Sequence, residues 1–167
     1  MENFTRIRRH DGYYNFRKSD GTLLSKEWFA EAWDFCEGFA VVQREDEMYN
    51  FIKSDGTLLS EKWFAFVWYF CEGFARVQRE NRMWNFIKPD GTLLSKEWFW
   101  EVWEFKYGFA RVQRENRMWN FIKPDGTLLS KEWFLYAKNF EGDFAKVQRK
   151  DGLWYNLATD GTLSKVE

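Results

Sequence analysis

The sequence predicts a protein that is mainly β with short helical connectors, built from five repeated three-stranded antiparallel meanders. A DGT motif recurs with a constant period of 35 residues, at Gly21, Gly56, Gly91, Gly126 and Gly161. Turn residues bound the short apolar segments around each motif, a pattern typical of strands. Aromatic residues make up 22% of the chain, so either the core is aromatic or the surface carries exposed aromatic rings. A fixed period of this size indicates a repeat architecture.

We expect a single repeat-array domain over residues 1–167, with units 4–38, 39–73, 74–108, 109–143 and 144–167. Each meander begins with the segment FARVQRE, as at Phe74–Glu80. A two-residue turn is expected next, because Asp or Asn occupies its first place in every repeat and such residues tolerate the left-handed conformation. The second strand leads to the Asp-Gly turn of the DGT motif, in which Gly takes the left-handed place. A short third strand, TLLS, completes the meander.

The connector after each meander is predicted to form one or two helical turns. In the first connector, Trp28, Phe29, Ala32 and Phe35 fit a helical stripe that Ser25 could cap. The same aromatic segment also fits an irregular loop held in place by Trp28. The chain is then returned to the next strand by Gly38, Gly73 and Gly108, and by Gly142-Asp143 in the last connector.

The end repeats indicate how neighbouring repeats face each other. Phe51 and Ile52 are adjacent in a strand, so their side chains point to opposite faces. The first repeat has Arg17 in place of the Ile, and the last has Asn156 in place of the Phe. Polar residues at the ends suit the caps of an open solenoid-like stack, in which the Ile face meets the preceding repeat and the Phe face the following one. The alternative is a five-bladed propeller-like ring.

The segment WNFIKPDGTLLS, with its aromatic connector and EGFARV, resembles the bacterial WG-containing repeat family (WG beta repeat). The resemblance covers nearly the whole chain. The chain departs from the family where the glycine of the Trp-Gly pair is Asn50, Asn85 or Asn120, and where Tyr49 replaces the Trp. The resemblance implies a β-rich interaction array with no enzymatic activity.

Composition excludes several function classes. The net charge of −1 gives no general attraction to nucleic acid or to acidic membranes. No apolar segment reaches membrane-spanning length, and the N-terminus lacks a signal-peptide pattern, so we expect a soluble, cytoplasmic protein without membrane contact. Cys36 and Cys71 occupy equivalent places, which stacked repeats would hold about 10 Å apart, too far for a disulfide. We expect both to be reduced thiols acting as small apolar residues, and with His10 they make no convincing zinc site.

No catalytic motif, cofactor site or metal site is predicted. The repeated DGT aspartate is explained by its turn. The amides of Gln43 and its equivalents would lie opposite those of Asn50 and its equivalents, so they could form a ladder between repeats or line a polar groove. Arg44 and its equivalents alternate with Glu residues, which favours a salt-bridged surface over a phosphate-binding groove.

The connectors vary most between repeats and are therefore the best candidate for a binding surface. One place holds Glu31, Phe66, Glu101 and Tyr136, and a shared core place would not alternate in this way. The invariant Trp28, Trp63, Trp98 and Trp133 are instead expected in the core. The candidate binding residues are Phe66, Tyr69, Trp100, Tyr136, Arg76 and Arg111. We expect a non-enzymatic module that binds a protein partner; the alternative is a small-ligand binder for a nucleotide or sugar, using aromatic stacking and Arg.

Overall fold

A computed structural model describes residues 3–166, and within that range the fold is all β, without a helix. It therefore contains no helical segment long and apolar enough to cross a bilayer in the part described. The strands are β1 (Thr5–Arg8), β2 (Tyr14–Arg17), β3 (Glu31–Ala32), β4 (Phe39–Gln43), β5 (Tyr49–Lys53), β6 (Phe66–Cys71), β7 (Phe74–Gln78), β8 (Trp84–Ile87), β9 (Glu101–Val102), β10 (Ala110–Gln113), β11 (Trp119–Ile122), β12 (Tyr136–Glu141), β13 (Phe144–Gln148), β14 (Trp154–Ala158) and β15 (Leu163–Lys165).

These strands form five small antiparallel sheets, which confirms the predicted repeated β architecture. The sheet orders are β1-β2, β3-β4-β5, β6-β7-β8, β9-β10-β11 and β12-β13-β14-β15. The TLLS segment makes isolated bridges, such as Ile52 with Leu58, and extends into a strand only as β15. Every sheet after the first takes its opening strand from the connector of the preceding repeat. A sheet therefore begins in one sequence repeat and ends in the next.

The prediction of helical connectors is wrong. The connectors contain the strands β3, β6, β9 and β12, and of these β6 is rich in the aromatic and β-branched residues that favour a pleated surface. Two-residue turns follow them, and in the first Glu37 and Gly38 both have positive φ, at 50° and 86°. That combination is the hairpin turn whose twist matches paired strands. It folds each connector back onto the next strand, where a helix would have had no partner.

The hairpin between the first two strands of each repeat has a three-residue loop, so the predicted two-residue turn is wrong. In the second repeat Arg44 N–H donates to the Met48 carbonyl, and Glu47 has a φ of 63°. The aspartate does not take the left-handed place; its carboxylate accepts the Met48 N–H at 3.2 Å instead. The register moves by one residue as a result, and Gln43 lies opposite Tyr49 while Asn50 lies opposite Val42.

The chain divides into two compact units. Unit 1 comprises residues up to Asn81 with Ile87–Thr92, and unit 2 comprises Arg82–Phe86 with the residues from Leu93 onward. In unit 1, Phe16 of the first repeat and Ile52 of the second share one apolar core. In unit 2, Phe121 and Leu157 do the same. The Phe face of one repeat thus meets the Ile face of the next, as predicted, and Arg17 is exposed while Asn156 is half-buried.

The DGT glycine brings adjacent repeats into close contact. Gly56 has a φ of 84°, and a Cβ atom there would lie 2.0 Å from the Leu24 carbonyl oxygen of the preceding repeat. Gly21, in the first repeat, has no such neighbour within 4 Å. The invariant glycine therefore serves both the turn and the packing between repeats.

Candidate functional site

Unit 2 holds an arginine between two tryptophan rings. The Arg111 Cζ lies 4.6 Å from the centre of the Trp103 ring and 5.5 Å from that of Trp119. Its Nη1 donates to the Ala137 carbonyl oxygen at 2.8 Å. Burial lowers the pKa of Arg111, and the nearby Glu101 carboxylate opposes that shift. Together, Trp103, Arg111 and Trp119 are the unit 2 aromatic cluster.

Unit 1 holds a related arrangement, the unit 1 aromatic cluster, made of Trp33, Tyr49, Phe66, Trp68 and Arg76. The Arg76 Cζ lies 4.8 Å from the centre of the Trp68 ring, and Trp68 contacts Phe66 edge to face at 5.5 Å. Phe66 in turn contacts Tyr49 at 5.5 Å, and Tyr49 lies 5.9 Å from Trp33. The rings form a continuous series that ends at the guanidinium.

Strand pairing creates both clusters. The backbone N–H of Trp103 donates to the carbonyl of Arg111, which sets the connector beside the second strand of its sheet. Side chains of paired residues lie on one face of a sheet, so the connector Trp and the strand Arg become neighbours. In the second repeat Val41 occupies the arginine's place, and there Trp33 approaches Tyr49 directly.

The structure divides the six predicted binding residues between the two units. Phe66 and Arg76 belong to the unit 1 aromatic cluster, and Arg111 belongs to that of unit 2. Trp100 lies under the Arg117 guanidinium, at 5.4 Å, and Tyr136 is 63% exposed. Burial raises the pKa of Tyr69, with a further contribution from the Asp34 carboxylate. The six residues therefore do not form one patch within a single unit.

Sequence reasoning missed Trp68 and Trp103, which are 44% and 42% exposed. Trp recurs at this place in three repeats, so it resembled an invariant core residue. The signal that could have identified it is Lys138, the equivalent residue of the last repeat, because a lysine does not fit a closed core.

The expectation that the invariant tryptophans are core residues is wrong. Trp28, Trp63 and Trp133 are half-buried, and each is covered by a guanidinium. The closest of these stacks joins the Arg114 Cζ to the Trp133 ring at 4.0 Å. The fully buried residue is the phenylalanine that follows each Trp, such as Phe134.

Grooves lie beside these covered tryptophans. The groove in unit 2 has a volume of about 490 Å³ and is lined by Arg114, Glu132, Trp133 and Arg149. Unit 1 has a groove of about 520 Å³ at the equivalent place, lined by Glu27, Trp28 and Arg44. Arg149 Nε lies 2.8 Å from a Glu132 carboxylate oxygen, and Arg114 pairs with Glu97. Arg114, Arg149 and Glu132 in the unit 2 groove are therefore already engaged in ion pairs.

Asn120 and Gln148 do not bond to each other across repeats as an amide ladder would require. The amide of Asn120 donates to the carbonyls of Ser130 and Glu132 in its own repeat, and its oxygen accepts the N–H of Phe121. The Gln148 amide donates instead to Gly152 in its hairpin loop, at 2.8 Å. The Asn is thus a buried link between strand and connector. The last repeat has Tyr155 at this place.

The thiols of Cys36 and Cys71 are both exposed, so neither acts as a buried apolar residue. Cys36 Sγ lies 3.7 Å from the Phe70 carbonyl oxygen of the next repeat. Within residues 3–166, no three His, Cys, Asp or Glu side chains are grouped closely enough to hold a metal ion.

No family model and no curated protein matches this chain. Among solved structures, it is similar to the computationally designed Ika8 protein, with 14% identity and a TM-score of 0.45, over 99% of this chain and 58% of that one. It is also similar to KlHsv2 with loop 6CD replaced by a Gly-Ser linker, with 12% identity and a TM-score of 0.47, over 98% and 65% of the two chains. The WD40 beta propeller domain of Doa1 matches with 12% identity and a TM-score of 0.40, over 97% and 64%. The chain thus spans about three fifths of the length of these proteins.

Proposed function

We propose that this chain is a non-enzymatic interaction module of the WG-repeat type, which binds a protein partner through its two aromatic clusters. The observation that carries the proposal is the stacking of an arginine on a half-exposed tryptophan, repeated as Arg76 on Trp68 and Arg111 on Trp103. Trp, Tyr and Arg are the residues most enriched at the energetic centres of protein interfaces.

The arginine is held in place before any partner binds. Arg111 is fixed by two rings and by a hydrogen bond to Ala137, so little of its conformational freedom remains to be lost on binding. The exposed part of Trp103 offers apolar area beside a charge. This combination suits a partner segment that carries an apolar side chain next to a carboxylate.

Small-ligand binding is the second candidate, and the unit 2 groove is the observation that favours it. Its volume of about 490 Å³ lies within the range of ligand pockets. However, Arg114 covers the Trp133 ring and Glu132 pairs with Arg149. A ligand would have to displace these contacts to stack on the ring, so we rank this candidate second.

The test compares surface variants of matched exposure. Trp103→Ser removes a ring that is 42% exposed, while Leu153→Ser removes a side chain that is 44% exposed and belongs to neither cluster. Each purified variant and the unmodified chain are immobilised, and proteins retained from a lysate of the native host are quantified by mass spectrometry. Small molecules extracted from the purified chain are measured in parallel.

We expect at least one retained protein to be lost with Trp103→Ser and kept with Leu153→Ser. Melting curves must show that both variants fold. Retention of the same proteins by all three forms would contradict the proposal, and a metabolite that co-purifies with every form would favour the groove instead.

A further inference from the structure

The first sheet lacks the strand that opens every other sheet. β3, β6, β9 and β12 each flank the first hairpin strand of their sheet, whereas β1 pairs only with β2 among residues 3–166. In the complete sheets, the connector donates N–H groups to fixed carbonyls of the hairpin strand. Trp103 N–H donates to the Arg111 carbonyl, and Trp100 N–H donates to the Gln113 carbonyl.

The matching carbonyls in the first sheet belong to Arg6 and Arg8. The register fixes this match, because the places of Arg111 and Gln113 in the repeat correspond to Arg6 and Arg8 in β1. The N–H of Arg9 donates back to Tyr13, towards β2. Since backbone groups alternate in direction along a strand, those of Arg6 and Arg8 point to the outer edge.

The side chains at this edge specify the residues that would fit beside it. In the fourth sheet Glu101 pairs with Gln113, Val102 pairs with Val112, and the Trp103 ring stacks on Arg111. The first sheet has Arg8, Ile7 and Arg6 at those three places. An acidic residue opposite Arg8 would form an ion pair there, where the other sheets have a neutral Gln.

Ile7 is the apolar residue at this edge. It is only half-buried, whereas its equivalents Val42, Val77, Val112 and Val147 are fully buried and pair with connector residues. The flanking Arg6 and Arg8 discourage pairing with apolar strands, as charged residues on edge strands do. They favour a strand that carries negative charge.

We propose that β1 is a docking edge for an extended segment of a partner protein with the pattern Glu-[Ala/Val]-Trp, which adds to the first sheet as an antiparallel strand. The Glu pairs with Arg8, the small aliphatic residue covers Ile7, and the Trp stacks on Arg6. This mode of recognition is β-strand addition, in which backbone hydrogen bonds supply affinity and side-chain pairing supplies specificity. The chain's own Glu31-Ala32-Trp33 and Glu101-Val102-Trp103 are models for the partner segment.

The probe is a fluorescein-labelled peptide that copies residues 97–108 of this chain, referred to as the EVW peptide. Fluorescence anisotropy measures its binding to the full chain, and hydrogen exchange locates the site. We expect saturable binding, with slower exchange at the amides of Arg6 and Arg8. Binding without protection at these two amides, or no saturable binding, would overturn the proposal.

A charge exchange makes the test specific. Arg8→Glu should weaken binding of the EVW peptide by about fivefold, the upper end for an exposed ion pair. A peptide with Lys in place of Glu101 should show the reverse preference. Arg8→Gln installs the residue that the other four repeats carry and guards against a folding defect in Arg8→Glu. Equal affinity of both peptides for all three forms would overturn the ion pair and with it the proposed pattern.

The other possible occupant is a second copy of this chain. Light scattering after size exclusion, without peptide, measures the oligomeric state. A monomer that binds the peptide supports the proposal, whereas a dimer that the EVW peptide dissociates would overturn it by assigning the edge to self-association.

Discussion

Gly91 packs so closely against Leu59 that a Cβ atom on the glycine would lie 2.2 Å from the Leu59 carbonyl oxygen. Both residues belong to unit 1, and the contact joins adjacent repeats. The oxygen belongs to the backbone, so it cannot move aside as a flexible side chain would.

We predict that Gly91→Ala destabilises the chain more than Gly21→Ala does. Both glycines have positive φ, at 83° and 86°, so both variants carry the same left-handed strain of about 1 kcal/mol. Only Gly91→Ala adds a clash, which should cost about 1–3 kcal/mol more. Urea unfolding measures the difference, and equal costs for the two variants would show that the close approach does not contribute to stability.

Phe64→Ala is expected to destabilise the chain more than Trp63→Ala. Phe64 is 5% exposed, and loss of such a ring costs about 3–5 kcal/mol. Trp63 is half-buried under Arg44, whose Cζ lies 4.3 Å from the ring, so its loss should cost about 1–2 kcal/mol. Thermal melting of the two variants decides between them. A larger loss of stability for Trp63→Ala than for Phe64→Ala would show that the tryptophan acts as a core residue.

Asn120→Ala should cost about 3 kcal/mol, because it leaves the carbonyls of Ser130 and Glu132 and the buried Phe121 N–H without their side-chain partner. The control is Gln148→Ala, which removes a single exposed hydrogen bond to the Gly152 carbonyl and should cost under about 1 kcal/mol. Chemical denaturation of both variants provides the comparison. Similar costs would contradict the role of the Asn as a link between strand and connector.

Stability should fall in acid through the DGT aspartates. Hydrogen bonds from the Thr57 hydroxyl and amide hold the pKa of Asp55 below its usual value, and the other four DGT aspartates are held in the same way. A folded pKa below the unfolded one stabilises the chain above the unfolded pKa. That stability is lost as pH falls through the folded pKa, below about pH 4.

The measurement for this prediction is the urea midpoint between pH 6 and pH 2. Replacing all five DGT aspartates with Asn keeps the acceptor and removes the titration, so the midpoint of that variant should depend less on pH. The control is Asp143→Asn, outside these turns. A five-site variant with the same acid dependence as the unmodified chain would refute the prediction.

The sequence supported correct predictions where a local rule determined the structure. The 35-residue period of the DGT glycine predicted the repeat architecture. The end substitutions at Arg17 and Asn156 predicted that the Phe face of one repeat meets the Ile face of the next. Turn chemistry was less informative. The predicted turns already contained Glu47, Arg82 and Arg117, which adopt positive φ where Gly12 and Gly152 stand in other repeats. The loop residue that was wrongly assigned to a strand is the one before the Asp or Asn, such as Glu45.

Missing this loop residue also made the predicted cross-strand pairs wrong. A shift of one residue changes every cross-strand pair, so Gln43 was assigned to Asn50 when it faces Tyr49. The prediction of helical connectors was wrong for another reason. Trp28, Phe29, Ala32 and Phe35 have helical spacing, but Phe29 forms a bridge with Tyr14 of its own repeat, and Ala32 belongs to a short strand that pairs with the next repeat. Pairing with a distant segment cannot be inferred from local periodicity.

Because every sheet after the first begins in one repeat and ends in the next, no single point along the chain is a natural boundary between repeats. Any 35 consecutive residues contain the parts of one sheet, in rotated order. A duplication that starts in a hairpin loop and one that starts in a connector would therefore insert the same structural module. The gene for such an array can lengthen by unequal recombination at any point within the period, provided that the insert is one whole period long.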